Sequence, residues 1–232
     1  MNNKYFSQHQ QDLVLDQVLF DQNKPGYFLD IGANDGVTYS NTYFLEKNRK
    51  WSGICVEPLP NAFQKLSAER SCILENCAVG AVTRKEVLME ISGYSEMLSG
   101  LKKNYNKKHL MRIDSEIDTY GGARSEIVID CINVNELLAK HNATHIDYCN
   151  IDTEGSELEI LNSIDFTKFR IDVITVEANY KMERLKLKFN LFLKGYKYVT
   201  NLGNDMLFIH KRLLKSLGSP ESISAKISSL IN

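Results

Sequence analysis

The chain has 232 residues and a formal net charge of −1, with 43% hydrophobic and 25% charged residues. These values are typical of one globular α/β domain with an insertion. A core of that size needs no disulfide or structural metal to be stable. The near-neutral charge excludes a general electrostatic bias toward nucleic acid or membranes. The polar N-terminus lacks the apolar core of a signal peptide, and no stretch approaches the roughly 18 to 20 apolar residues of a membrane helix. A cytoplasmic enzyme is therefore expected.

Strand-like apolar runs alternate with helical segments along the chain. After an N-terminal helical segment (1–24), a main domain is predicted over 25–212, followed by a helical tail (213–232). The predicted strands cover residues 27–31, 53–56, 72–79, 85–92, 127–132, 146–151, 171–176, 196–200 and 206–210. The predicted helices cover residues 38–47, 60–70, 133–141, 156–163 and 180–194. This alternation predicts βαβ units and a mostly parallel sheet covered on both faces.

Residues 93–125 interrupt this rhythm because they are polar, contain Gly100 and Gly121-Gly122 and show little clear period. The segment is too long for an ordinary connection, so it is predicted to be a cap or substrate loop, the alternative being a mobile surface excursion. Its basic residues favour equally a gate for an anionic substrate or a solvated helix face; these are Lys102, Lys103, Lys107, Lys108 and Arg112.

Five cysteines are present, an odd number without a C-x-x-C pair. Cys55, Cys131 and Cys149 lie in strand-like runs, which favours buried, reduced thiols over a zinc site. This usage is typical of a reducing compartment.

The first predicted strand ends in the loop D-I-G-A-N-D-G, residues 30–36. Glycines allow a backbone turn to approach a ligand, and a following helix N-terminus supplies unpaired N–H groups. Ligands bind beyond the carboxyl ends of strands in such sheets. Asp30 precedes Gly32 by two residues, where its carboxylate would repel a pyrophosphate and would suit a cation. The combination favours S-adenosylmethionine, whose carboxylate would meet the loop amides, over a dinucleotide.

A second acid, Glu57, ends the second predicted strand. A carboxylate at this position can accept both ribose hydroxyls of an adenosine. The alternative is a surface glutamate that merely follows a strand.

Three segments resemble the FkbM-type methyltransferases: YFLDIGANDGVTYSNTYFLE (27–46), GICVEP (53–58) and IDYCNIDTEGSELEIL (146–161). MLSG (97–100) and ITVE (174–177) fit as well. The resemblance covers about residues 27–210, and D-x-E-G-x-E is its most specific part. It implies a Rossmann-like class I methyltransferase fold, with seven strands of which one is antiparallel, and methyl transfer to an oxygen, often of a sugar.

Several cofactor contacts follow from that resemblance by position. Asp30, Gly32, Asn34 and Gly36 would line the cofactor loop, and Glu57 would hold the ribose. The adenine would face Asn76 or Ala78, at the end of the third strand.

Carboxylates also end later strands, at the edge where the methyl group should lie. Asp152, Glu154 and Glu177 are expected to converge there, as a general base or as oxygen ligands of Mg²⁺ or Mn²⁺. The alternative for Glu154 is helix capping, which is the favoured interpretation for Glu157 and Glu159. His109, in the insertion, is a further candidate base, although histidines are more often surface residues.

The function predicted from these patterns is S-adenosylmethionine-dependent O-methylation of a sugar, glycan or related metabolite. The acceptor is expected to be a small molecule or glycan, including anionic ones, without nucleic acid or membrane insertion. A non-catalytic adenosyl-ligand-binding domain is one alternative. An NAD-dependent oxidoreductase is another, but it predicts a G-x-G-x-x-G loop, which the sequence lacks.

Overall fold

A computed structural model describes residues 4–105 and 107–231 of the chain, the side chains of residues 107–109 excepted. The strands are β1 (Tyr27–Ile31), β2 (Ser52–Val56), β3 (Ile73–Glu75), β4 (Ala78–Gly80), β5 (Arg84–Ile91), β6 (Gly100–Leu101), β7 (Arg124–Asn133), β8 (His145–Ile151), β9 (Arg170–Glu177), β10 (Tyr196–Leu202) and β11 (Asp205–His210). The helices are α1 (Gln11–Val14, continued by a π-helix over Leu15–Leu19), α2 (Tyr43–Arg49), α3 (Pro60–Glu69), α4 (Lys107–Tyr120), α5 (Val134–Lys140), α6 (Glu157–Ser163), α7 (Lys181–Leu193), α8 (Lys211–Leu217) and α9 (Pro220–Ile231).

Seven strands form the central sheet in the order β10-β11-β9-β8-β1-β2-β3. β11 runs antiparallel to both of its neighbours, and the other pairings are parallel. Apolar clusters cover both faces of the sheet, which is why a strand such as β11 contains a continuous apolar run, from Met206 to Ile209. The α/β fold with a seven-stranded, mostly parallel sheet, predicted from the sequence, is confirmed.

The predicted strand over residues 72–79 is wrong as a single element. β3 pairs with β2 in the central sheet, whereas β4 pairs with β7 in a second sheet of order β4-β7-β5-β6. Asn76 lies between the two strands and donates through Nδ2 to the carbonyls of Glu57 and Pro58. These hydrogen bonds hold the chain at the point where it leaves the first sheet.

The helix predicted from residue 38 begins later, at Tyr43. The Asp35 carboxylate accepts hydrogen bonds from the amides of Val37 and Thr38, which holds this stretch in a turn. Ser40 Oγ then accepts from the Tyr43 amide at 3.1 Å. The helix N-terminus is therefore separated from the β1 loop by several residues.

The insertion is more regular than the sequence indicates, because it contains the fourteen-residue helix α4. Leu110, Ile113 and Ile117 share one face of α4 and pack with Met89 and Ile91 of β5. Polar residues occupy most other positions of the helix and obscure this spacing in the sequence.

Both ends of the chain pack on one face of the central sheet. Leu15 and Leu19 of the N-terminal segment share an apolar cluster with Ile223 and Ile227 of α9. The boundaries predicted at residues 24 and 212 stay predictions. Within the described ranges, no helix is long and apolar enough to cross a membrane.

All five cysteines are free thiols. Cys55, Cys131 and Cys149 are buried, as the sequence predicts.

The packing of α4 generates a stability prediction. Ile113 is fully buried, so Ile113→Ala should destabilise the insertion by about 2 to 5 kcal/mol through lost burial and a residual cavity. Met111, on the same helix, is 62% exposed, and Met111→Ala should change stability by less than about 0.5 kcal/mol. Urea unfolding combined with hydrogen exchange over residues 107–120 measures both. Equal effects of the two substitutions would contradict the packing.

Candidate active site

A cleft of about 310 Å³ opens at the carboxyl ends of β1, β2, β8 and β9. Its floor carries the polar residues that end these strands. Its outer walls come from the N-terminal segment, the loop before α2 and the start of the insertion. The residues of these walls that line the cleft include His9 and Gln11 of the N-terminal segment, Asn41 before α2, and Leu98, Gly100 and Arg112 of the insertion.

The β1 loop crosses the chain that follows β8 at backbone contact distance. Gly32 has φ +88°, and a Cβ there would lie 1.7 Å from the carbonyl oxygen of Asp152. The Asp152 amide donates in turn to the Ile31 carbonyl at 2.9 Å. Gly32 is thus required by loop-to-loop packing, and since it also lines the cleft, its predicted contact with a ligand stays a prediction.

The amides of the β1 loop are mostly used within the protein. Those of Gly32 and Ala33 both donate to the Val56 carbonyl, and that of Asn34 donates to Glu57 Oε2 at 2.8 Å. The expected contact of a ligand carboxylate with the loop amides or with the N-terminus of α2 therefore stays a prediction, and these three amides already have acceptors within the protein.

Asp30 is buried at the base of the cleft between two donors. Its Oδ2 accepts from Thr42 Oγ1 at 2.6 Å, and its Oδ1 accepts from Asn150 Nδ2 at 2.9 Å. The carboxylate is therefore held in one orientation by β8 and by the residue before α2.

Glu57 is buried, which excludes the surface alternative. Its two oxygens accept from the amides of Asn34 and Leu59, each at 2.8 Å. Burial raises the pKa of Glu57 to about 7, despite these hydrogen bonds, and the negative charges of Asp30 and Glu96 add to the rise. The side chain lines the cleft with its carboxyl group fixed by two loops.

Of the other predicted cofactor residues, two line the cleft and two lie outside it. Asn34 and Ala78 line the cleft. Gly36 lies outside the lining, since a Cβ there would meet Leu66 of α3 at 2.5 Å. Asn76 also lies outside and ties β3 to the loop after β2.

Asp152, Glu154 and Glu177 converge at the opposite end of the cleft. One carboxylate oxygen of each lies within 4.8 Å of the others. Glu154 has φ +54°, a left-handed conformation that is uncommon outside glycine and is found at strained functional loops. Sequence reasoning therefore placed these three acids together correctly in space.

Burial and mutual repulsion raise the pKa values of this carboxylate cluster. Asp152 is accessible to water inside the cleft, yet the surrounding protein desolvates it, and Glu177 and Asp205 repel its charge, so its pKa is raised. Burial and the charges of Glu177 and Glu157 raise the pKa of Glu154 to about 8. Burial also raises the pKa of Glu177. A proton is thus readily retained by the cluster near neutral pH.

Glu157 and Glu159 form contacts within the protein next to the carboxylate cluster. Glu157 Oε1 accepts from the amides of Thr153 and Gly155, which holds the loop that carries Glu154. Glu159 pairs with Lys103 at 3.2 Å.

A buried polar network that sequence reasoning missed lines the side of the cleft next to Asp30. Asn150 Oδ1 accepts from Asn41 Nδ2 at 2.9 Å and from Thr175 Oγ1 at 2.8 Å. Asp205 accepts from Gln11 at 2.8 Å. Among the described residues, Asn41 Oδ1 is a buried side-chain acceptor without a partner. A sequence signal for this network was the polar Asn150 between the apolar residues Cys149 and Ile151.

The family model described as the Methyltransferase FkbM domain matches residues 30–214. The chain belongs to the FkbM methyltransferase family. No curated protein matches the chain. A solved FkbM methyltransferase from Methylobacillus flagellatus is 14% identical, with a TM-score of 0.47, and the match covers 84% of this chain and 45% of that one.

Two other solved structures match the chain with similarly low sequence identity. A precorrin-6y C5,15-methyltransferase from Geobacter metallireducens is 11% identical, with a TM-score of 0.43 and 90% coverage of both chains. The N-terminal domain of human METTL16, in complex with SAH, is 15% identical, with a TM-score of 0.41, covering 86% of this chain and 65% of that one. This chain spans less than half the length of the M. flagellatus protein.

Among the predicted gate residues whose side chains are described in the insertion of this FkbM domain, Arg112 lines the cleft and Lys102 and Lys103 do not. Lys102 pairs with Glu126, Lys103 with Glu86, and Arg112 with Glu116 at 2.8 Å. The side chains of Lys107, Lys108 and His109 lie outside the described residues, so His109 as a base stays a prediction.

Arg70 is a buried cation behind the β1 loop of this FkbM domain, and sequence reasoning missed it as well. Its guanidinium donates to Glu46 at 2.6 Å, to the Gly36 carbonyl at 3.1 Å and to Thr42 Oγ1 at 3.0 Å. Thr42 Oγ1 in turn donates to Asp30. Arg70 thus connects α2 and α3 to the loop and holds Asp30 indirectly.

The contact between the two loops generates a prediction about Gly32. Gly121 is also left-handed, but a Cβ there meets nothing within 4 Å, so Gly121→Ala should cost only about 1 to 2 kcal/mol of conformational strain. Gly32→Ala should cost clearly more, because its Cβ overlaps the Asp152 carbonyl. Chemical unfolding of both variants measures the difference. Equal stability losses would show that the loops separate freely.

Proposed function

We propose that this chain is an S-adenosylmethionine-dependent O-methyltransferase that acts on a hydroxyl of a sugar, glycan or related metabolite. The observation that carries the proposal is the arrangement of acids in one cleft. Asp30 and Glu57 end the strands on one side, and the Asp152, Glu154 and Glu177 cluster ends those on the other. This separates a cofactor-binding end from an end where an acceptor can react.

The residues near Asp30 and Glu57 fit the cofactor. Glu57, with its carboxyl group already oriented, would accept the ribose hydroxyls. The unpartnered Asn41 Oδ1 and the Asp30 carboxylate suit the positively charged amino group, because a buried acceptor without a donor carries a desolvation cost that a ligand N–H relieves. When bound, S-adenosylmethionine supplies a methyl group already activated by a sulfonium.

Glu154 is the proposed general base. A hydroxyl is a weak nucleophile, and a base acts best when its pKa lies near the working pH. With a pKa of about 8, the ionised fraction of Glu154 takes a proton from the acceptor hydroxyl and then returns it to water, and this fraction grows as the pH rises toward 8. Burial and the charges of Glu177 and Glu157 raise the pKa of Glu154, which favours its proton uptake.

The same cluster offers a second mechanism. Its three carboxylates present oxygen atoms close enough together for one hard cation, so they would hold Mg²⁺ or Mn²⁺ and orient the acceptor hydroxyl there. Activity that is lost in EDTA and restored by Mg²⁺ or Mn²⁺ supports the metal. Activity insensitive to EDTA supports Glu154 as a proton acceptor without metal.

The proposed acceptor is a small molecule or glycan, with phosphorylated or nucleotide-linked sugars as first choices. Arg112 lines the cleft and pairs with Glu116, and an anionic group of the acceptor would meet its guanidinium there. Nucleic acid is not proposed as a partner, and the cytoplasm is the proposed compartment.

A methyl-transfer screen over sugar nucleotides and glycans tests the function, with thermal shifts by S-adenosylhomocysteine and by NAD measured in parallel. We expect stabilisation by S-adenosylhomocysteine and methylation of at least one hydroxylated acceptor. Stabilisation without transfer to any acceptor would favour a non-catalytic adenosyl-ligand-binding domain. Stabilisation by NAD alone would favour an oxidoreductase.

The ribose contact generates a binding prediction. Glu57→Ala should weaken S-adenosylhomocysteine binding by about 1.5 to 3 kcal/mol, the cost of losing hydrogen bonds to a charged group. Glu69→Ala removes an exposed carboxylate on α3 and should leave the affinity unchanged. Isothermal titration calorimetry measures both. Unchanged affinity in Glu57→Ala would exclude the ribose assignment.

The carboxylate cluster generates a kinetic prediction. Asp152→Asn and Glu154→Gln should each lower kcat about 10²- to 10⁴-fold, with little change in cofactor affinity, since amides keep the shape and remove the proton acceptor. Glu159→Gln, on the neighbouring helix, should retain wild-type turnover. Near-normal kcat in both variants would show that Asp152 and Glu154 have a capping role and are not catalytic.

The pH profile gives an independent readout of the same prediction. A base with a pKa of about 8 is protonated and inactive below that value, so kcat should rise with pH and level off above about pH 8. Glu154→Gln should remove this dependence from its residual activity. A wild-type kcat that does not change between about pH 6 and about pH 9 would contradict the assignment of Glu154 as the general base.

A further inference from the structure

Helix α7 exposes an apolar face that the cleft does not use. Leu187 and Leu191 are buried in the core and anchor one side of the helix. Five apolar side chains on the other side are 54 to 68% exposed: Met182, Leu185, Phe189, Phe192 and Leu193. We call these five residues the α7 face. Soluble helices normally present polar residues opposite their buried stripe, so the α7 face requires a partner.

The α7 face is a continuous stripe. Its residues follow spacings of three and four, from Met182 through Leu185 and Phe189 to Phe192 and Leu193. A shallow groove beside it is lined by Leu185, Phe189 and Phe192 together with Tyr196 and Tyr198 of β10. The helix is held by its buried side, so the exposed side is presented as a fixed surface.

Lysines border the α7 face on both edges. By helical position, Lys181 and Lys188 lie along one edge and Lys186 along the other. Lys188 Nζ is 3.6 Å from the centroid of the Tyr198 ring, and Lys197 Nζ is 4.8 Å from that of Phe192. The cations therefore sit directly beside the exposed rings.

The local charge contrasts with that of the whole chain. Residues 181–197 contain six basic residues and one acidic residue, whereas the formal net charge of the chain is −1. The single acid, Glu183, accepts from the Tyr180 amide and contributes to the capping of the helix. The surface around the α7 face thus combines exposed aromatic and aliphatic groups with a positive rim.

We propose that the α7 face docks on an anionic lipid bilayer and binds the protein peripherally to it. Phenylalanine and leucine side chains enter the boundary between headgroups and acyl chains, and lysines reach the phosphates while their stems remain among apolar groups. Anionic lipids complement the positive rim. This docking is separate from the methyl-transfer site and does not depend on its assignment.

A second copy of the chain fits this surface less well. A two-fold dimer packs the same surface on itself, so the lysine edges of the two copies would be brought toward each other. Like charges that lose water without acidic partners oppose association. An anionic bilayer meets the same lysines with opposite charge, and this decides between the two occupants.

Vesicle sedimentation tests the proposal with the whole protein. We expect the wild type to sediment with phosphatidylcholine vesicles that contain phosphatidylserine and to remain free with phosphatidylcholine alone. Phe189→Ser/Phe192→Ser and Lys188→Glu/Lys197→Glu should each lower partitioning at least about tenfold, through lost insertion and lost attraction respectively. Circular dichroism and urea unfolding establish that the variants are folded.

Two control variants change an exposed apolar side chain or exposed lysines at sites away from the α7 face. Val128 of β7 is 69% exposed, so Val128→Ser removes an exposed apolar group away from α7. Lys24→Glu/Lys50→Glu reverses two exposed lysines. Both controls should sediment like the wild type. Absence of wild-type binding to the anionic vesicles, or wild-type binding by the Phe189→Ser/Phe192→Ser variant, would overturn the proposal. So would a wild-type dimer that does not bind vesicles and that these serines dissociate, since the face would then be a self-interface.

Discussion

The backbone contact between the β1 loop and the residues after β8 is the constraint on which the rest of the site depends. A Cβ at Gly32 would overlap the Asp152 carbonyl, while the Asp152 amide donates to Ile31. With no side chain between them, the two loops emerge side by side at the sheet edge. Acids at the carboxyl ends of β1 and β8, Asp30, Asp152 and Glu154, therefore line one cleft together with Glu57 after β2.

The cleft concentrates acidic side chains that the surrounding protein desolvates. Glu57, Asp152, Glu154 and Glu177 all have raised pKa values, with burial as the first cause. Such a cluster opposes folding, and its persistence is typical of binding or catalytic sites. Arg70 provides a buried positive charge near Asp30, but its guanidinium is directed to α2 and to the loop behind the cleft.

The element pattern made much of the fold predictable, because strands buried on both faces are written as apolar runs separated by amphipathic helices. The acids at strand ends were predictable for the same reason, since carboxyl ends of parallel strands meet at one edge. Helix α4 was not, because its three apolar contacts lie among polar residues. The division of residues 72–79 between two sheets depends on the side-chain bonds of Asn76, which no periodicity reveals.

The sequence by itself determined the α/β class, the glycine loop, and the grouping of Asp152, Glu154 and Glu177, since these follow from local pattern and chain order. Tertiary structure decided which partners each group has. It filled the space above Gly32 with a carbonyl, placed Gly36 and Asn76 outside the cleft, and added Asn41, Asn150 and Asp205 to its wall. It also left one side of α7 uncovered. Such outcomes depend on contacts between residues distant in the chain, and a one-dimensional pattern records only which residues are neighbours along it.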